Sequence, residues 1–175
     1  MADLTNWLQE MELARVKTYL NSGNVLFDSD QELRLLTGRI AAMIEARCGQ
    51  KVPILIKTSQ DMIQIAQSIP QGWQNDGTQQ TYVAYLFDEV ANEEILASLP
   101  IKGEFVEIYY FQKAVIWNIK RENYHKSQIT KLANHPAYGS MTTRNVNTAR
   151  KLAELCQGGE PKAQGPSTSS RPQGV

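Results

Sequence analysis

The chain has 175 residues, 42% of them hydrophobic, and its 18 basic side chains balance 18 acidic ones. That is enough apolar material to bury a core in one domain or two small ones, and the neutral balance argues against a broad electrostatic footprint for duplex nucleic acid. The two cysteines, Cys48 and Cys156, stand far apart with no CxxC, which argues against a disulfide scaffold or zinc knuckle. No apolar run approaches the roughly 20 residues of a membrane helix and no signal-peptide pattern opens the chain, so a cytoplasmic protein with no membrane partner is expected.

Leu4, Trp7, Leu8 and Met11 fall at helical spacing and predict an amphipathic helix over 3–12. Two β-rich runs follow, Val16–Leu20 and Val25–Asp28, flanking Asn21, Ser22, Gly23 and Asn24. Gly and Asn tolerate positive φ, so these four residues can reverse the chain into a hairpin that organises the first half. Ser29 and Glu32 have the spacing of a capping box ahead of a helix with Leu33, Leu36, Ile40 and Ile44 on one face and a stop before Gly49. Val52–Lys57 reads as a strand, and Pro53, which has no N–H, puts it at a sheet edge or marks its start. Thr58 and Asp61 repeat the capping-box spacing and open a helix with Met62, Ile65 and Ile69 inward. Residues 70–80 are polar with two glycines, as in a loop or linker.

Thr81–Phe87 is a nearly continuous apolar run, expected of a strand covered on both faces. A short helix around Asn92–Leu99 should end at Pro100, and strands fall near Glu104–Tyr109 and Ala114–Ile119, with a turn near Phe111–Lys113. Residues 120–141 are mixed, with one short helix predicted near Ser127–Ala133. Thr143 is placed to start a last helix over about 144–156, with Val146, Ala149, Leu152, Ala153 and Cys156 inward. The tail after Gly158 is rich in Gly, Pro, Ser and Gln, a composition expected to be disordered.

The order α-β-β-α-β, then a helix and loop, then β-α-β-β-α-α, predicts an α+β fold. Its architecture is read as two tandem ferredoxin-like (split βαβ) units. The first spans 1–69 and lacks its opening strand; 70–80 is the linker, 81–157 the second unit with a final helix, and 158–175 the tail. No repeat is visible residue by residue, so the duplication rests on element order.

Two stretches carry a family resemblance. Thr18–Asp28 with Met1–Leu4 upstream, and Thr142–Thr148 followed by Lys151 and Leu152, resemble the two signatures of the bacterial domain-of-unknown-function family 1697. The resemblance runs over about residues 1–157. It implies a pair of ferredoxin-like subdomains and no particular activity. Members of that family open with a strand and a glycine-bearing stretch ahead of the position of Met1. Their absence here implies a fragment, most simply from a start placed at an internal Met, or another segment in the strand's slot.

Thr143, Arg144 and Asn145 are the first candidate site. At a helix start, free N–H groups, the helix dipole and one guanidinium suit a phosphate or carboxylate; the alternative is that Thr143 caps and Arg144 pairs with an acid. Asn21, Ser22 and Asn24 offer amides and a hydroxyl at the hairpin tip, where turn chemistry explains the same residues. Lys120–Lys126, with Lys131 and His135, mixes bases with aromatics behind Tyr109, Tyr110, Phe111 and Trp117, which would suit stacking on single-stranded nucleic acid if those rings were exposed. No dinucleotide, P-loop, nucleophile-elbow or zincin motif is present, so no cofactor is expected, and His125 and His135 lack a metal-ligating constellation. The reading is a binding module for a small anionic ligand or nucleotide. The alternatives are a protein that interacts with single-stranded nucleic acid, or an enzyme acting on a phosphorylated substrate with unknown catalytic residues.

Overall fold

Two antiparallel sheets organise the computed structural model, which describes residues 2–20 and 23–158. The first is a hairpin of β1 (Ala14–Tyr19) and β2 (Asn24–Asp28), covered by α1 (Ala2–Glu10) and α2 (Leu33–Cys48). Leu8, Leu36, Ile40 and Ile44, on the helical faces expected from their spacing, form its core with Leu13, whereas Leu33 of the expected face is exposed. Asn21 and Ser22, expected at the hairpin tip, and residues 159–175, expected to form a disordered tail, lie outside the described residues.

The second sheet has four strands in the order β4-β5-β3-β6: β3 (Gln79–Leu86), β4 (Val106–Phe111), β5 (Ala114–Lys120) and β6 (Met141–Asn145). Every neighbouring pair is antiparallel. The apolar run at 81–87 is buried on both faces, as its composition requires. Against one face pack α3 (Ser59–Ser68) and α5 (Val146–Cys156), burying Ile65, Val83, Ile116 and Ala149 together. The other face holds Ala84, Val115, Trp117 and Ile119 under α4 (Ile95–Ser98) and a run of 3-10 turns. Gln112 and Lys113, at φ 45° and 58°, make the two-residue turn between β4 and β5; left-handed turns of this kind match the twist of the paired strands.

Several local expectations need correction. Val52–Lys57 forms no strand; Ile54 and Ile56 pack against the first core and Leu55 against the other, the side-chain alternation of a strand without its ladder. Glu32, not Ser29, caps α2, its carboxylate accepting from the N–H groups of Arg34 and Leu35 at 2.9 Å each. Those two bonds hold its carboxyl below the usual range. The Ser29 hydroxyl instead accepts from the Gln31 N–H at 3.1 Å. The capping box of Thr58 and Asp61 forms as read. The helix expected at 92–99 shortens to the single turn of α4, and the one at 127–133 becomes a 3-10 helix, Ile129–Asn134. Gln79 and Gln80 of the expected linker belong to β3. The largest omission is β6: Thr143 and Arg144 lie in a strand, and α5 begins only at Val146.

One glycine sits against its surroundings. Gly38 is exposed in the middle of α2, and a Cβ placed there meets no atom within 4 Å. Gly38→Ala is therefore expected to stabilise the fold by about 0.5–1 kcal/mol, through lost backbone entropy in the unfolded chain. The measurement is the urea midpoint, which should rise at constant slope.

Candidate functional site

The site grows out of β6. In its antiparallel register with β3, Arg144 lies opposite Val83 and Thr142 opposite Tyr85. Opposed residues share a face, so Tyr85, Thr142 and Arg144 look to the side where α3 and α5 pack. Thr143, opposite Ala84, faces the other core. Asn145 ends the strand with an extended backbone, and its Oδ1 accepts from the Thr148 N–H at 2.9 Å, capping α5. Asn145→Ala should cost about 1 kcal/mol of stability as that orphan donor loses its acceptor, read as a lowered denaturation midpoint.

Arg144 reaches from the second sheet to the hairpin. Its Nε donates to Asn24 Oδ1 at 2.6 Å, and its Nη1 donates to Thr142 Oγ1 and to the Thr143 carbonyl at 2.9 Å each. Asn24 is buried and passes the constraint on, donating from Nδ2 to the Tyr19 carbonyl at 3.0 Å. Of the residues singled out from sequence, Arg144 and Asn24 are thus in direct contact though 120 positions apart. Thr143 turns away and Asn145 is occupied as a cap.

Around this contact opens a cleft of about 260 Å³. Leu8, Ile40 and Ile44 line it from the first core, Met62 and Tyr85 from the second, and the half-buried backbone at 54–57 from a third side. Its described lining contains two cations, Lys57 and Arg144, and no carboxylate. Burial lowers the pKa of Arg144, with Tyr85 opposing, but a guanidinium stays charged all the same. Lys57 is lowered chiefly by burial, with Asp61 and Asp88 opposing and Lys113 adding to the shift.

Tyr85 is the group that sequence reasoning missed. It is 4% exposed, and among the described residues its hydroxyl has no hydrogen-bond partner. Burial raises its pKa well above the usual phenol range, against a smaller pull from Arg144, so it stands in the cleft as a neutral O–H donor. Within an apolar run nothing marks one tyrosine as special; only its register with Thr142 does, and that required seeing β6.

The aromatics weighed for base stacking are engaged elsewhere. Trp117, 4% exposed, stacks on Tyr82 with ring centroids 5.8 Å apart. Tyr109 lies against Trp73 and donates to the Ser68 carbonyl at 2.9 Å, while Tyr110 donates to the Ala91 carbonyl at 3.0 Å. Tyr110 packs, partly buried, against the core on one face of the sheet, and Tyr109 and Phe111 against the core on the other. His135 Nδ1 accepts from the Ala137 N–H at 3.2 Å. Among the described residues no group of three His, Cys, Asp or Glu side chains is placed to hold a metal ion, and no helix is long and apolar enough to cross a membrane.

The family of proteins of unknown function DUF1697 matches residues 1–117, a span that includes the hairpin signature and stops short of the one around Arg144. Among solved structures, the chain is similar to a conserved bacterial protein from Streptococcus pneumoniae, at 21% identity with a TM-score of 0.76 over 89% of this chain and 88% of that one. At that identity the likeness shows the fold alone. No curated protein matches the sequence.

Proposed function

The chain belongs to the DUF1697 family, whose function is unknown, and from that premise we propose that its cleft binds a small ligand with an anionic head and an apolar body. The observation that carries the reading is the Tyr85 hydroxyl. A buried polar group left without a partner costs about 1–3 kcal/mol, and an acceptor atom arriving at that point removes the cost. Arg144 lines the same cleft and supplies charge beside the donor, in surroundings where a charge-assisted hydrogen bond is stronger than in water. The aliphatic walls then take the ligand's body. At about 260 Å³ the space suits a small molecule rather than a dinucleotide. Asn24 serves this site by fixing the guanidinium.

The finer architecture belongs to the same reading: two tandem ferredoxin-like units, 1–69 and 81–157. Counting the strands of the second half in chain order, its sheet runs second, third, first, fourth, all antiparallel, which supports a split βαβ arrangement. In the first half, α1, β1, β2, α2 and the 52–57 segment follow one another as the same unit would after an opening strand.

A thermal-unfolding scan against alkyl carboxylates of increasing length, nucleoside monophosphates and inorganic phosphate tests the proposal, because a ligand of the folded state raises the melting temperature by mass action. The expected result is a shift that grows with the alkyl chain and is small for phosphate. If no anion shifts the melt, or phosphate alone does so as well as the longest carboxylate, the reading fails.

A further inference from the structure

A second cavity, of about 690 Å³, opens where residues 54–57 meet the start of α2, the turn between β4 and β5, and the residues that follow β3. Among the described residues none of β1 or β2 lines it, so it is distinct from the cleft at Arg144. Leu33, Ile54, Ile56 and Phe87 give it apolar walls. Lys57 lines both spaces.

The backbone at Lys57 is anchored. It directly precedes Thr58, whose capping box with Asp61 opens α3. Lys57 is half-buried, and among the described residues its ammonium makes no hydrogen bond and no salt bridge. The nearby carboxylates are engaged. Glu32 accepts from two N–H groups at the start of α2, Asp61 accepts from the Thr58 N–H at 3.3 Å, and Asp88 pairs with Lys113 at 2.8 Å. Exposed Arg34 and Glu89 add one charge of each sign, and Arg144 lines the cleft on the other side. Toward Lys57, Asp61 and Asp88 favour the ammonium and Lys113 opposes it; burial outweighs them and lowers its pKa. A lysine desolvated among apolar side chains and set near a second cation is an activated amine.

The lining also selects the class of ligand. A simple anion would meet the carboxylates of Glu32, Asp61, Asp88 and Glu89 along the same walls, whereas an uncharged carbonyl compound is not repelled. We propose that Lys57 is a covalent capture site for an aldehyde or ketone with an apolar body, held as an imine in this cavity. The neutral Nζ attacks the carbonyl carbon, and a C–N bond forms as the C=O π pair moves to oxygen. A proton passes from nitrogen to that oxygen and gives the carbinolamine. The carbinolamine then loses its hydroxyl and the remaining nitrogen proton as one water, which leaves C=N with no oxidant or reductant consumed. This site and the anion site differ in lining and in chemistry, and neither requires the other.

The test incubates the full chain with propanal or octanal across neutral and alkaline pH, traps imines with cyanoborohydride, and maps alkylated peptides by mass spectrometry. At neutral pH, Lys57 is expected to be alkylated ahead of every other lysine, including exposed Lys51 and Lys102, and its pH midpoint should lie below theirs. Octanal should modify Lys57 about tenfold faster than propanal, because the added methylenes enter an apolar wall; the exposed lysines should show no such preference. Thr37 lines this cavity and not the first cleft, so Thr37→Trp should slow alkylation at Lys57 alone. Lys57 reacting no faster than Lys51 and Lys102 overturns the nucleophile. Equal rates for the two aldehydes, or a Thr37→Trp chain alkylated at Lys57 as fast as its parent, overturn the cavity as the place where the carbonyl compound is held.

Discussion

Arg144→Ala is expected to weaken the binding of an alkyl carboxylate by about 10- to 100-fold, the worth of one to two charge-assisted hydrogen bonds in a partly buried site. The same change strips the buried Asn24 of a donor 2.6 Å away, so the free protein should also lose stability. Tyr85→Phe separates these effects, because its two consequences have opposite signs. Removing a buried hydroxyl that has no partner among the described residues should stabilise the free protein by about 1 kcal/mol, while the ligand loses a donor and binds roughly tenfold more weakly. A tyrosine retained for packing alone would show the gain in stability without the loss of affinity. The pH dependence carries a further sign. With its folded pKa raised by burial, Tyr85 contributes stability that is fully present below the unfolded phenol value near pH 10 and falls away as the pH rises beyond it. Phe at this position should therefore flatten the alkaline limb of the stability profile. Calorimetric affinities together with urea midpoints across that range check all of these signs. If Tyr85→Phe destabilises the protein and leaves affinity unchanged, the anion site is wrong.

The residues that could be read in sequence were those whose signals are local. Helical faces such as Leu36, Ile40 and Ile44, the capping box of Thr58 and Asp61, and the doubly buried β3 all follow from spacing within a dozen positions. β6 escaped because Met141–Asn145 is short, polar and flanked by 3-10 turns, with no alternation to reveal it; its strand character comes from pairing with β3. That omission shifted the reading of Arg144 from a helix start to a strand face and hid Tyr85 altogether. At 52–57 the failure ran the other way: a segment with every local mark of a strand has no ladder, because strand formation needs a partner and not propensity alone. The contact between Asn24 and Arg144 spans 120 positions, and no single-sequence rule reaches across that interval; only their likeness as polar signatures suggested a common site.

Ile65→Ala is expected to be among the most damaging single substitutions, at about 2–5 kcal/mol. Ile65 is 0% exposed and packs in one cluster with Val83 and Ile116 of the sheet and Ala149 of α5, so truncation leaves a cavity with rigid walls on both sides. Set against the roughly 5–15 kcal/mol that holds a typical domain folded, this is a large share. Ile65→Val, which removes a single methylene, should cost only about 0.5–1.5 kcal/mol. The position matters beyond stability. α3 directly follows residues 51–57, which have no backbone hydrogen bond among the described residues. What holds that wall of the cleft is therefore side-chain packing at Ile54, Leu55 and Ile56 together with the anchoring of α3 behind it. Loosening Ile65 should raise hydrogen exchange at 54–68 more than in α1 and α2, and should weaken ligand binding without touching a residue that lines the cleft. Denaturant midpoints paired with exchange mapping decide it: a cost below about 1 kcal/mol would mean that α3 is not docked in a tight core, and uniform exchange would mean that the cleft wall does not depend on it.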